Sequence, residues 1–340
     1  MIFVHRDSLK SQIVDHLEKK GINFFVVSNE EEVENSKNNI YIAPSKGTFL
    51  RPCPGTTNYR CCYYHVFDIM EGCPYNCSYC ILQSYLNHEY IKVFSEIEPF
   101  YNELHELNKK GRFRVGTGEL SDSLALDTIF EFSKFFVPIV NDLENIQFEF
   151  KTKSNNISNL LNLNPKNIVV SFSLNSEYIA ETEEHWAVSP TKRIAAAKIL
   201  CEYGYKVAFH FDPVVYYEDW EKGYREIINT LVEEVPAHSV EYLSISTFRC
   251  SPDLLDIVRS KFDESILTKY RYITGIDGKK RYFKRDRIML LNYVYTELKK
   301  SWHDTFIYFC MEHEEIWKKI TGIDPGERRE FEKHFPWQKC

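Results

Sequence analysis

Val66-Phe67-Asp68-Ile69-Met70-Glu71-Gly72-Cys73-Pro74-Tyr75-Asn76-Cys77-Ser78-Tyr79-Cys80 joins a β-rich run to a loop carrying three cysteines in the spacing C-x3-C-x2-C. The run Val66–Met70 is the first of a series. Phe113–Thr117, Gln147–Thr152, Ile168–Leu174, Lys206–Phe211 and Glu241–Phe248 follow it along the chain. Helical stretches are expected between them, over Ser95–Lys110, Asp122–Phe136, Pro190–Tyr203 and Trp220–Glu234. The third has proline at its start and Gly204 just past its end, and Pro236 stops the fourth. Strand and helix in alternation demand parallel pairing with helices outside. Six such units are too few to close an eight-stranded barrel. The expected fold is therefore α/β, with an open, partial (β/α)6 barrel over residues 51–250. Residues 1–50 read as a small βαβ unit, with Ile2–Val4, a helix Ser8–Lys20 and Ile22–Ser28. Residues 251–340 read as a C-terminal extension of helix and hairpin.

Composition narrows the classes open to such a chain. With 340 residues it can bury a large core without covalent staples. Its ten cysteines are far below the density of a disulfide scaffold. No apolar run reaches the length of a membrane span. His5, Arg6, Asp7 and Lys10 interrupt the place where a signal peptide needs its apolar core. The expectation is a cytoplasmic protein whose clustered thiols serve metal or redox chemistry. The net charge of −7 argues against a generally basic nucleic-acid binder.

Cys73, Cys77 and Cys80 fall at the carboxyl end of the first strand, where sites in such folds gather. Three thiolates from one loop can hold three irons of a cubane and leave the fourth iron to a non-protein ligand. A zinc site wants a fourth protein ligand, for which His88 is the nearest choice.

The loop resembles the signature of the radical S-adenosylmethionine (radical SAM) superfamily. The resemblance implies a [4Fe-4S] cluster on Cys73, Cys77 and Cys80. It also implies SAM as the cleaved cofactor, and Tyr79 as the aromatic preceding the last ligand. Further stretches resemble one branch, the spore photoproduct lyase family of DNA-repair enzymes. They are Leu82-Gln83, Phe150-Lys151-Thr152-Lys153, Ser171-Phe172-Ser173-Leu174-Asn175-Ser176, Ser189-Pro190-Thr191-Lys192-Arg193-Ile194 and Trp220-Glu221-Lys222-Gly223-Tyr224-Arg225. By that resemblance Lys153, Ser173 and Asn175 belong to the SAM site, with Ser121 a further candidate. Gly116-Thr117-Gly118-Glu119 is similar to the superfamily's Gly-Gly-Glu motif, which makes Gly118 and Glu119 cofactor-binding candidates.

The chain departs from the family at two places. The family carries its hydrogen-donor cysteine in an Ala-Cys-Thr-Ser-Asp run after the second strand. Here the run is Gly118-Glu119-Leu120-Ser121-Asp122, with Glu119 at the cysteine's place. A relay tyrosine that follows the third cluster cysteine is Ile81 here. Cys250, expected at the substrate end of the barrel, is the candidate to supply the hydrogen atom instead. Cys53, Cys61, Cys62, Cys201, Cys310 and Cys340 are expected to be packing thiols, with Cys61-Cys62 an alternative metal or redox pair.

Residues 259–300 hold 12 Lys/Arg against 5 Asp/Glu. Lys269-Tyr270-Arg271-Tyr272 and Lys279-Lys280-Arg281-Tyr282-Phe283-Lys284-Arg285 alternate basic and aromatic groups, which suits a phosphate backbone and unstacked bases. The Gly275–Gly278 pair predicts a hairpin tip. Arg281 and Tyr282 are the substrate-side candidates, and nucleic acid is the expected partner of segment 269–285. The function so implied is a radical SAM enzyme, a carbon–carbon lyase of nucleobase lesions, served by an electron donor such as flavodoxin or ferredoxin. Two alternatives stand beside it: the same radical initiation on a nucleoside, tRNA base or small molecule, and a non-catalytic metal-binding module.

Overall fold

A computed structural model describes residues 1–45 and 47–339; Cys340 lies outside the described residues. Six parallel strands form the barrel wall in chain order: His65–Phe67, Phe113–Thr117, Ile146–Thr152, Ile168–Ser173, Lys206–Val214 and Val240–Thr247. Each is hydrogen-bonded to the next. This is the expected order. A seventh parallel strand, Ile307–Phe309, extends the wall beyond the sixth, and Leu50–Pro52 pairs antiparallel at the other edge. The sheet is curled and open, a half-barrel.

The expected strand Val66–Met70 is divided between two sheets. Its first part belongs to the barrel, whereas Met70–Glu71 turns away and pairs with Ile91–Phe94. Asp68, between the two parts, is held by Arg51 Nε at 2.9 Å. Ile91–Phe94 in turn pairs parallel with Ile40–Ala43, which pairs with Ile2–His5 and, beyond it, Phe25–Val27. The N-terminal sheet thus takes two of its five strands from within residues 51–250. Its helix Gln12–Lys19 is capped by Ser11, which accepts from the Val14 amide, and buries Ile13, Val14 and Leu17.

Helices outside the wall cover it with aromatic rings. Phe67 of the first strand meets Phe100 at 4.9 Å, and Phe136 stacks on Phe148 of the third at 5.9 Å. The single helix expected over Asp122–Phe136 is two, Asp127–Phe130 and Phe132–Asn141, with Glu131 between them at φ +54°. Asp122 lies outside both. Its carboxylate accepts from the Leu124 and Ala125 amides, Thr152 Oγ1 and the Lys153 amide, tying the second loop to the end of the third strand.

The C-terminal segment closes the bottom of the barrel. Arg114, on the second strand, is 2% exposed. It makes a bidentate pair with Glu332 at 2.6 and 3.1 Å, and its guanidinium lies 3.4 Å from the Phe335 ring centroid. Phe331 and Phe335 are fully buried beside it. Among the described residues no helix is long and apolar enough to cross a membrane.

Candidate active site

The top of the half-barrel holds a cavity of about 310 Å³. The third and fifth strands alternate polar and apolar side chains: Phe148, Glu149, Phe150, Lys151 on one, Phe209, His210, Phe211, Asp212 on the other. The phenylalanines face the helices, and Glu149, Lys151, His210 and Asp212 line the cavity. Tyr79 and Cys80 enter from the cysteine loop, Gly118 and Glu119 from the loop after the second strand, and Cys250 from beyond the sixth.

The cysteine loop is held by groups distant in sequence. Gly72, at φ +90°, donates its amide to the Leu120 carbonyl at 2.8 Å. A Cβ there would lie 2.9 Å from the Tyr90 carbonyl oxygen, so the start of the loop requires glycine. Asn76–Cys77 pairs antiparallel with Glu184–His185, and Gln83 Nε2 donates to Asn76 Oδ1 at 2.9 Å. Ser78 donates its hydroxyl to Glu183, which also accepts from Ser265 Oγ and the Ile266 amide. Tyr79 donates its phenol to Glu184, and Arg193 clamps the same carboxylate while donating to the Ser173 and Val188 carbonyls. Burial, then the Glu184 charge, holds the Tyr79 phenol protonated.

The thiols of Cys73, Cys77 and Cys80 are free. Burial raises all three, that of Cys77 to about 12, and Cys73 feels the charges of Cys80 and Cys77. Three thiols on one loop, each raised by its surroundings, would ionise on binding a metal centre, and thiolates are the donors that iron–sulfur clusters take. His88 is engaged elsewhere, its ring stacked on Tyr90 at 4.3 Å and its Nδ1 2.9 Å from the Tyr90 carbonyl. The donor set fits a cluster whose irons each take one sulfur.

Charge in the cavity is graded. Glu149 stays ionised: burial works against it, but a hydrogen bond from His210 at 2.8 Å prevails, while burial and the Lys151 charge keep His210 neutral. Burial would strip the proton from Lys151, yet Asp212, Glu119 and Glu149 hold it above the ordinary lysine range. Asp212 pairs with Arg249 at 3.2 Å. Glu119 is exposed at the mouth.

Gly118 sits at φ +95° with its backbone against Lys151. A Cβ would come within 2.8 Å of the Lys151 carbonyl oxygen and 2.9 Å of Ser123 Oγ. Gly118→Ala is expected to destabilise the fold by about 1–3 kcal/mol. A denaturation midpoint equal to that of the parent chain would contradict this.

The cavity brings together Tyr79, Cys80, Gly118, Glu119 and Cys250 of the expected residues. Lys153 stands beside it, its ammonium 5.5 Å from the Tyr79 ring centroid. Ser121, half-buried, follows Leu120 where the two loops meet. Ser173 is buried at the end of the fourth strand. Asn175 is spent inside the protein: Nδ2 donates to the Pro213 carbonyl and Oδ1 accepts from Tyr224 Oη at 2.6 Å. The two motifs containing Asn175 and Tyr224 therefore pack against each other, and Asn175 does not reach the cavity.

Two of the expected residues lie inside the protein. Arg281 is 1% exposed, paired with Asp277 at 2.6 Å, and lies 4.0 Å from the Tyr59 ring centroid. Tyr282 is fully buried among Tyr270 and Tyr272, and its Oη accepts from the Tyr216 amide. Both hold the hairpin down, and neither lines the cavity. The hairpin itself is as expected: Ile273–Thr274 pairs with Lys280–Arg281, which pairs with Arg249–Cys250. Lys279, not its neighbours, faces the cavity, along with Cys53, Cys62 and Cys310. Glu149, Lys151, His210 and Asp212 were also unassigned, although their alternation with phenylalanine on buried strands is a legible signal of a polar barrel interior.

An open parallel half-barrel with a three-cysteine loop beyond its first strand defines the radical SAM class. The family model for spore photoproduct lyase matches residues 58–314, and the chain belongs to that family. Spore photoproduct lyase of Clostridium acetobutylicum is 25% identical over 215 residues, 62% of each chain. The match thus spans less than two thirds of that relative. A solved cysteine-to-alanine variant of spore photoproduct lyase with dinucleoside spore photoproduct superposes with a TM-score of 0.80 at 19% identity. The superposition covers 91% of this chain and 98% of that one. A double variant with bound AdoMet and the same dinucleoside gives 0.79 at 20% identity, with the same coverage.

Proposed function

We propose that this chain is a radical SAM lyase acting on a thymine lesion in nucleic acid. The cavity carries the reading, because it places Cys80 and Tyr79, the Gly118-Glu119 turn and a wall of thiols on one space at the carboxyl end of the strands. It is supported by relatives that are spore photoproduct lyases and by a similar fold solved with AdoMet and a dinucleoside lesion. When bound, a [4Fe-4S] cluster on Cys73, Cys77 and Cys80 together with SAM supplies a 5′-deoxyadenosyl radical. Glu119 makes no ion pair within 4.0 Å among the described residues and is free to meet the SAM ammonium. Lys153, beside the Tyr79 ring, would meet its carboxylate.

The chain must also return a hydrogen atom to the product radical. A carboxyl O–H bond is too strong to give one, so Glu119 does not do this. Cys250 does: its S–H bond breaks, a C–H bond forms on the thymine, and the unpaired electron is left on sulfur. Burial and Asp253 push its thiol up to about 12, so it stays protonated. Ser251, its neighbour, lies 3.3 Å from Ser84 Oγ, just past the cysteine loop.

Reduced enzyme, SAM and an oligonucleotide carrying the spore lesion should yield two restored thymines. Cys250→Ala should lower that yield at least tenfold while SAM cleavage continues. Undiminished yield would move the donor role to Cys53, Cys62 or Cys310, which share the wall. SAM cleavage without any thymine repair by the parent chain would favour the second reading, another nucleoside substrate, to which Glu119 in the cysteine's place points.

A further inference from the structure

We propose that Lys279 receives the phosphodiester joining the two nucleotides of the lesion, so that the chain selects phosphate-linked substrate over an uncharged analogue. This rests on the lesion reading above and adds a specificity residue to it.

Most cations around the cavity already have partners. Arg281 is neutralised by Asp277, and Arg249 by Asp212. Lys280 does not line the cavity and donates to Thr274 Oγ1 at 3.1 Å. Lys284 pairs with Glu315 and Arg285 with Asp286. Lys151 lies among three carboxylates. Lys279 is different. It is half-buried and lines the cavity, yet its ammonium meets the Met311 Sδ at 3.9 Å. Among the described residues no carboxylate lies within 4.0 Å of it.

Its surroundings are short of negative charge. Burial, then the neighbouring Arg249, draws its pKa below the ordinary lysine value, and Asp277 does not compensate because it is engaged by Arg281. An anion arriving here gains a cation that has already lost part of its water. Elsewhere in the same cavity Glu149 is held by His210 and Asp212 by Arg249, while Glu119 carries an unpaired negative charge that repels a further one. A dinucleotide has one charged group between two neutral bases. Seated with its bases toward Tyr79 and Cys250, it would present that phosphate to the hairpin end.

The test measures binding to the full chain of two single-stranded oligothymidylates bearing the spore lesion. In one the lesion linkage is the phosphodiester, in the other a neutral methylphosphonate. The parent chain should bind the first about tenfold more tightly. Lys279→Met should erase that difference and flatten the salt dependence by about one unit of log–log slope, with Lys280→Met, outside the cavity lining, as a control that preserves the linkage preference. Equal affinity of the parent chain for the two linkages, or a preference that survives in Lys279→Met, overturns the assignment. A linkage preference without preference for lesion over undamaged oligothymidylate would overturn the lesion reading and leave the Lys279 contact standing. Binding of neither oligomer overturns both.

Discussion

Replacing Cys77 by alanine is expected to abolish cluster assembly and, with it, reductive cleavage of SAM to background. Cys77 is the buried member of the three, 6% exposed, between the strand pairing to Glu184 and the Ser78–Glu183 bond. Removing its sulfur leaves two ligands, too few to hold three irons of a cubane. The loop should nonetheless keep its place, because Glu183, Glu184, Gln83 and Leu120 hold it through groups other than sulfur. Anaerobic reconstitution followed by iron and sulfide assay and visible absorption measures the first effect, and 5′-deoxyadenosine formation the second. A variant that keeps a full cluster and normal SAM cleavage would refute the ligand assignment. Circular dichroism separates that loss from unfolding.

Glu332→Ala carries the largest expected effect on stability. It strips the counterion from Arg114, which stays charged and enclosed by Tyr64, Tyr242 and Phe335. Opposed to burial, the Glu332 carboxylate is the leading influence that holds the guanidinium protonated. Breaking one side of a buried pair costs about 3–5 kcal/mol, on the order of 10 °C in Tm for a chain of this size. Replacing both partners, Arg114→Met with Glu332→Leu, should recover most of that loss, since an apolar pair of similar volume has no charge to desolvate. If the double variant melts no higher than Glu332→Ala, the charge argument fails. The tail would then matter only for the packing of Phe331 and Phe335.

Much of the fold was legible because its signals are local. Six β-rich runs separated by helical stretches define a parallel wall whatever lies around them, and five of the runs kept their extents to within three residues. The exception, Val66–Met70, looks like one strand because apolar alternation does not register a change of sheet. That change is made by Asp68 bonding to Arg51. Ile307–Phe309 was not legible: three residues are too few for periodicity, and it is a strand only because Leu243–Ile245 offers an edge.

Within the candidate site the division falls in the same place. Cys73, Cys77 and Cys80 declare themselves by spacing within one loop. The hairpin declares itself by its glycines and its alternation. Which of its cations meets a ligand does not follow from sequence, because Lys279, Lys280 and Arg281 are adjacent and chemically alike. Asp277 takes Arg281, Thr274 takes Lys280, and the twist of the hairpin turns Lys279 alone toward the cavity. The sequence by itself determined the parallel half-barrel and the three-thiol loop, since both rest on residues near one another in the chain. Only the tertiary structure decided that Cys53, Cys62, Cys250 and Cys310 share one wall and that Glu332 caps Arg114. Those contacts join segments far apart in sequence, and their geometry exists only once the sheet has curled.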